Sequence, residues 1–157
     1  MADQDQPGPA EIRAFAQRLL AVREYAVEEL RSRLLRKWPG RDQVVERVNV
    51  VVAALHTEGL LSDERFAEVF IRSRCQRYQG PAKIRAELRQ HQVADAAIAA
   101  QLEALEDHWV ALAAEWLARQ VRGAPDLAAR ARYYRRLTSR GFSHQQAMAA
   151  LDSLSER

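Results

Sequence analysis

Apolar residues recur every three to four positions along nearly the whole chain, with polar residues filling the intervals. That period puts them on one face of an α-helix. Val44, Val48, Val52 and Leu55 keep it even through a β-branched stretch, and no run alternates with period two. The pattern predicts helices over 11–24, 27–38, 42–57, 63–78, 81–91, 95–105, 107–121, 126–140 and 144–154. Ser62 is placed to cap the helix opening at Asp63, and Ser143 with Gln146 makes a capping-box pair. Gly80 is suited to end one helix in a left-handed conformation, while Pro81 opens the next at its first position. Gly59 and Gly141 fall where the chain must reverse.

The helical pattern repeats. Leu30 and Leu34, Ile84 and Leu88, and Tyr133 and Leu137 are pairs four apart. Val93 and Phe142 follow the second and third pairs at five residues. The sets Ile98, Leu102, Leu105 and Ala147, Leu151, Leu154 then keep identical spacing. The first copy offers Val48, Val52 and Leu55, after an approach about five residues longer through Pro39 and Gly40. Val52, Leu102 and Leu151 are thus 50 and 49 residues apart, the signature of a repeat. The expected fold is all-α: three tandem three-helix repeats in an elongated, curved array. The boundaries expected are a disordered tail over 1–10, then units over 11–60, 61–106 and 107–157. A three-helix unit buries too little alone, so neighbours should share apolar surface.

Composition changes this picture only in part. The net charge is +3, but residues 107–157 hold eight basic and five acidic side chains, and the preceding stretches are balanced. Arginine supplies 22 of the 24 cations, and its planar fork suits phosphate or carboxylate. A GC-rich genome accounts for the same ratio. The single cysteine, Cys75, excludes an internal disulfide framework and fits a reducing cytoplasm. No apolar stretch is long enough to span a membrane, and the acidic, proline-containing start is unlike a signal peptide.

Catalytic chemistry has no convincing carrier. His56, His91, His108 and His144 lack metal-binding spacing, and no phosphate-cradling glycine loop occurs. Neither an enzyme nor a cofactor is expected. Binding surfaces remain. Arg132, Arg136 and Arg140 form a stripe on the eighth helix with Arg135 beside it and Arg130 near. No acid separates Leu127 from Arg140. Leu127, Ala131, Tyr134 and Leu137 are expected to face the core there. A second cationic group surrounds the Gly80–Pro81 turn: Arg72, Arg74, Arg77, Lys83, Arg85 and Arg89, with Arg65 seven residues before Arg72. Phe66, Val69, Phe70 and Ser73 are expected inside. Trp38, Trp109 and Trp116 are expected in packing roles. Solvated arginine faces account for the same pattern, and whether the two groups point the same way is left open.

Four segments mark the chain, LAVREYAVEELRSRLLRK (20–37), GLLSDERFAEVFIRSR (59–74), GPAKIRAELR (80–89) and RRLTSRGFS (135–143), and the middle two are distinctive together. On these the chain resembles the RecX family, bacterial regulators of the RecA recombinase, from about Ala14 to Leu154. It departs from the family where Ala26 and Ala94 replace cap serines, where Ser62 replaces a more usual aspartate, and where no glycine stands near Gln92. Asp95 is a neighbour on which the altered caps are expected to rely.

The resemblance implies a cytoplasmic modulator that binds the RecA–DNA filament along its groove, and the free protein is expected to be a monomer. It further implies inhibition of ATPase and strand exchange, and suppression of recombination and the SOS response. The twelve cations named above, Arg65 to Arg89 and Arg130 to Arg140, are then candidate contacts to RecA or to its DNA. Weak direct DNA binding fits the same residues. The alternative is a sequence-tolerant DNA-binding helical protein acting without RecA.

Overall fold

A computed structural model describes residues 6–40 and 42–156. Among them the secondary structure is helical throughout: α1 (Pro9–Val22), α2 (Val27–Lys37), α3 (Asp42–Thr57), α4 (Asp63–Cys75), α5 (Pro81–Gln90), α6 (Asp95–Glu103), α7 (Trp109–Gln120), α8 (Leu127–Ser139) and α9 (His144–Ser155). A single 3₁₀ turn, Glu106–His108, precedes α7. Residues 9 and 10, expected in the tail, belong to α1, which Pro9 opens at a position proline tolerates at no cost in hydrogen bonds. Residues 1–5 lie outside the described residues.

The helices pack in threes: α1 and α2 on α3, α4 and α5 on α6, and α7 and α8 on α9. Residues of the fifty-residue pattern form the interior. Leu30, Leu34, Val48, Val52, Leu55, Ile84, Leu88, Ile98, Leu102, Leu137 and Leu151 are all fully or almost fully buried. Each such leucine or isoleucine stabilises by about 2 kcal/mol relative to exposure.

Three units do not mean three cores. Buried residues of α4 to α9 make one continuous cluster, while α1 to α3 enclose a separate one. Ala26, just before α2, is buried in the larger cluster, and Leu61, just before α4, in the smaller one. The first joint is therefore mainly polar. Asp63 accepts the backbone N–H of Val27 through Oδ1 (2.8 Å) and that of Ala94 through Oδ2 (3.1 Å). One carboxylate thus serves the starts of α2 and α6, where Ala26 and Ala94 offer no side-chain cap. Asp95 does not take that role as expected; it pairs with Arg89 instead. Around Asp63, Glu29 meets His91 and Arg23, and Ser32 Oγ donates to Gln92 Oε1. Gln92 has φ of 61°, which explains why glycine suits this place.

Two expectations about buried faces fail. Val69 is 48% exposed and Leu127 86% exposed. On α8 only Leu137 is fully buried, although the helix touches α9 from Arg130 onward. Ala131 is exposed with Leu127. Trp109 is fully buried and Trp116 nearly so, whereas Trp38 is half-buried, edge-on to Phe15.

Candidate partner-binding site: a cationic cleft

The cleft begins with two glycines. Gly80 is not the left-handed residue predicted; its φ of −86° and ψ of 169° are extended, and Tyr78 takes the left-handed place at φ of 56°. Glycine is needed at position 80 for another reason. A Cβ there would lie 2.3 Å from the backbone of Gly141 and Phe142, and one on Gly141 would lie 2.6 Å from Lys83 Cβ. The two backbones touch, and they bond: Gly80 N–H donates to Arg140 O (2.7 Å) and Ala82 N–H to Gly141 O (3.0 Å). The start of α5 is thereby docked on the turn between α8 and α9.

Arg140 fastens the same joint. Its Nη1 donates to the carbonyls of Arg77 (3.0 Å) and Tyr78 (3.5 Å), with the guanidinium 4.8 Å above the Trp116 ring. The Tyr78 hydroxyl donates to Glu115, and that bond holds its proton above the usual phenol range. Arg119 stacks over the Tyr78 ring.

With the start of α5 docked on the α8–α9 turn, a cleft of about 790 Å³ lies between the second and third units. Arg77, Lys83, Arg132, Arg135, Arg136 and Arg140 line it, with Gln79, Gln120 and Ser139, and Trp116 on its wall. No carboxylate is among the lining residues. Among the described residues, none of the six cations forms an ion pair. Asp126 caps α8 by accepting from Ala129 N–H, but it sits at the far end of that helix. Like charges gathered with no carboxylate in the lining raise the local potential and favour an anionic ligand.

Five of the other six candidates are engaged elsewhere. Arg65 pairs with Glu24 (2.7 Å) and donates to Gly59 O, inside the first joint. Arg72 pairs with Glu68, Arg89 with Asp95, and Arg130 with Asp152 and the Leu151 carbonyl. Arg74 lies over Phe70 and bonds Glu87 (2.8 Å). Arg85 is exposed and outside the cleft. Burial raises the proton affinity of Glu87, but hydrogen bonds from Arg74 and Gln79, with the charges of Arg74 and Lys83, outweigh it and lower the pKa. Glu87 thus neutralises Arg74 and orients Gln79 beside the cleft.

The two arginine groups therefore meet in part: Arg77 and Lys83 from one, Arg132, Arg135, Arg136 and Arg140 from the other. The sequence reading missed Gln79, Gln120 and Ser139 and assigned Trp116 to packing alone. The paired glycines of GPAKIRAELR and RRLTSRGFS were the one signal that those segments touch. No helix among the described residues is long and apolar enough to cross a membrane, and no three acidic, histidine or cysteine groups are placed to hold a metal.

Comparison with known proteins gives a consistent result. A sequence model of the second three-helix domain of RecX matches residues 62–102. The regulatory protein RecX of Halorhodospira halophila is 43% identical over 147 residues, covering 92% of this chain and 89% of that protein. The corresponding protein of Chromohalobacter salexigens is 42% identical, covering 85% and 86%. The crystal structure of RecX from Lactobacillus salivarius superposes with a TM-score of 0.82 at 18% identity, covering 95% of this chain and 97% of that one. That last likeness speaks for the fold.

Proposed function

The chain belongs to the RecX family of regulatory proteins, and on that footing we propose that it is a negative regulator of RecA. It binds the RecA–DNA filament along its groove and inhibits ATP hydrolysis and strand exchange, lowering recombination and the SOS response. The cleft between the second and third units is its principal contact. The observation that carries this reading is the gathering of six cations with no carboxylate among them, on a joint whose backbones are locked together.

The physical role of each residue follows from its place. Arg132, Arg135 and Arg136 present guanidinium forks from one helix, suited to bidentate recognition of phosphate or carboxylate. Arg77 and Lys83 face them from the second unit, so a bound anion is held from two sides. Arg140 is committed to the joint and fixes the cleft's shape more than it reaches outward. Three stacked units, each built on helices of roughly 20 Å, are long enough to touch more than one filament subunit. A body bridging subunits resists the rearrangement that accompanies nucleotide turnover.

Mixing the protein with RecA on single-stranded DNA and following ATP hydrolysis tests the reading. Inhibition at or below one protein per RecA is expected, and none at that ratio overturns it. Binding to naked DNA with a steep salt dependence, and with affinity unchanged by RecA, would favour the alternative of a DNA-binding protein acting alone.

A further inference from the structure

The first unit carries a cationic surface of its own. On α1 and α2, Arg18, Arg33 and Lys37 converge on the Phe15 ring at 5.7, 5.5 and 4.3 Å from its centre. Lys37 also lies 5.3 Å from the Trp38 ring, which stands edge-on to Phe15. Arg36 shares the α2 face with Arg33 and Lys37. Both rings are half-buried, so each keeps an exposed part.

Neighbouring arginines show that the lack of counter-charge is local. In the same unit Arg13 pairs with Glu58, Arg23 with Glu29 and Arg31 with Glu28, and Arg47 donates to the Pro7 carbonyl. Among the described residues, Arg18, Arg33, Arg36 and Lys37 form no ion pair and no side-chain hydrogen bond. One phenyl ring has two faces, and its attraction fades towards ~6 Å, so three cations at these distances are only partly compensated. Lys37 and Arg33, four apart on one helix, repel each other.

We infer that this surface is a second binding site, for the phosphodiester backbone of single-stranded nucleic acid. Cations set around partly exposed aromatic rings are the combination that binds such strands without sequence preference. The cations turn to phosphates while bases stack on the exposed parts of the rings. An acidic protein surface would use the charges but not the exposed parts of the Phe15–Trp38 pair, whose buried parts pack on the first core. The site stands on the first unit's separate core, so it does not depend on the cleft.

The test titrates oligothymidylate into the full chain and into the triple variant Arg18→Gln, Arg33→Gln, Lys37→Gln, at several salt concentrations. Three lost phosphate contacts should flatten the log–log salt slope by about 2, since each contributes ~0.7 on a single strand. Affinity at low salt should fall about tenfold or more. An unchanged slope and affinity, in a variant with the parent's thermal transition, overturns the inference. A second readout does not require the triple variant to fold. Tryptophan quenching on adding oligothymidylate should be largely lost in Trp38→Phe. Full quenching there would place the strand at Trp116 and the cleft instead, against the inference. Weakened RecA inhibition with unchanged oligothymidylate binding would assign the surface to a protein partner and equally contradict it.

Discussion

The two joints of this array are made of opposite materials. Between the first and second units, one carboxylate, the Arg65–Glu24 ion pair, a His91–Glu29 contact and a serine–glutamine bond do most of the joining, with Ala26 and Leu61 as buried apolar residues that cross. Between the second and third, a shared apolar core and two glycine backbones in contact do it. Polar contacts keep a partner in solvent when they break, so each is worth about 1 kcal/mol. Backbone contact and core burial have no such substitute. The first joint is consequently the softer one, and the cleft sits on the harder.

Breaking the harder joint should have the largest effect. Gly80→Ala drives a methyl group into the Gly141 backbone, and neither side can turn away. A loss of about 3 kcal/mol is expected, the upper end for overpacking, visible as a lower urea midpoint. Asp63→Asn should cost about 2 kcal/mol, because an amide oxygen cannot replace both carboxylate acceptors. Hydrogen exchange should then rise at Val27 and Ala94 and stay slow at Gly80 and Ala82, sharpening the contrast between the joints.

Smaller effects separate the same two regions further. Glu87 has its pKa lowered in the folded protein, so its contribution is present above the unfolded value near 4.5 and is lost as pH falls through the folded one. Acid titration of stability below that value should be steeper in the wild type than in Glu87→Gln, by at most about 1 kcal/mol for a partly exposed pair. Leu127→Gln should change the urea midpoint least, within about 0.5 kcal/mol, because that side chain lies in solvent.

These contrasts explain what could be read from the chain. Helices and core positions were legible because burial within a helix imprints a short period on the sequence, as at Val44, Val48, Val52 and Leu55. The repeat was legible because each unit solves the same packing problem. Leu127 and Val69 misled for a complementary reason: periodicity marks an apolar face but not whether a neighbour covers it. The joints were not legible in the same way. Asp63 reads as a helix-start acid, and nothing local says that it serves two other helices. Arg132 and Lys83 are about fifty residues apart, and only the meeting of Gly80 with Gly141 makes them neighbours. Arg65 and Arg74, equal candidates by sequence, turn out to be spent on Glu24 and Glu87.

The central claim is that the cations gathered by the harder joint act on the filament, and that those outside it do not. Two double reversals of equal charge change test it: Arg132→Glu with Arg136→Glu, and Arg72→Glu with Arg85→Glu. The quantity to measure is the protein concentration that halves ATP hydrolysis by RecA on single-stranded DNA. The cleft variant should need about tenfold more protein or beyond, a loss of at least ~1.4 kcal/mol, while the other stays within about twofold of wild type. Equal losses, or a larger loss in the Arg72 and Arg85 variant, would contradict the account.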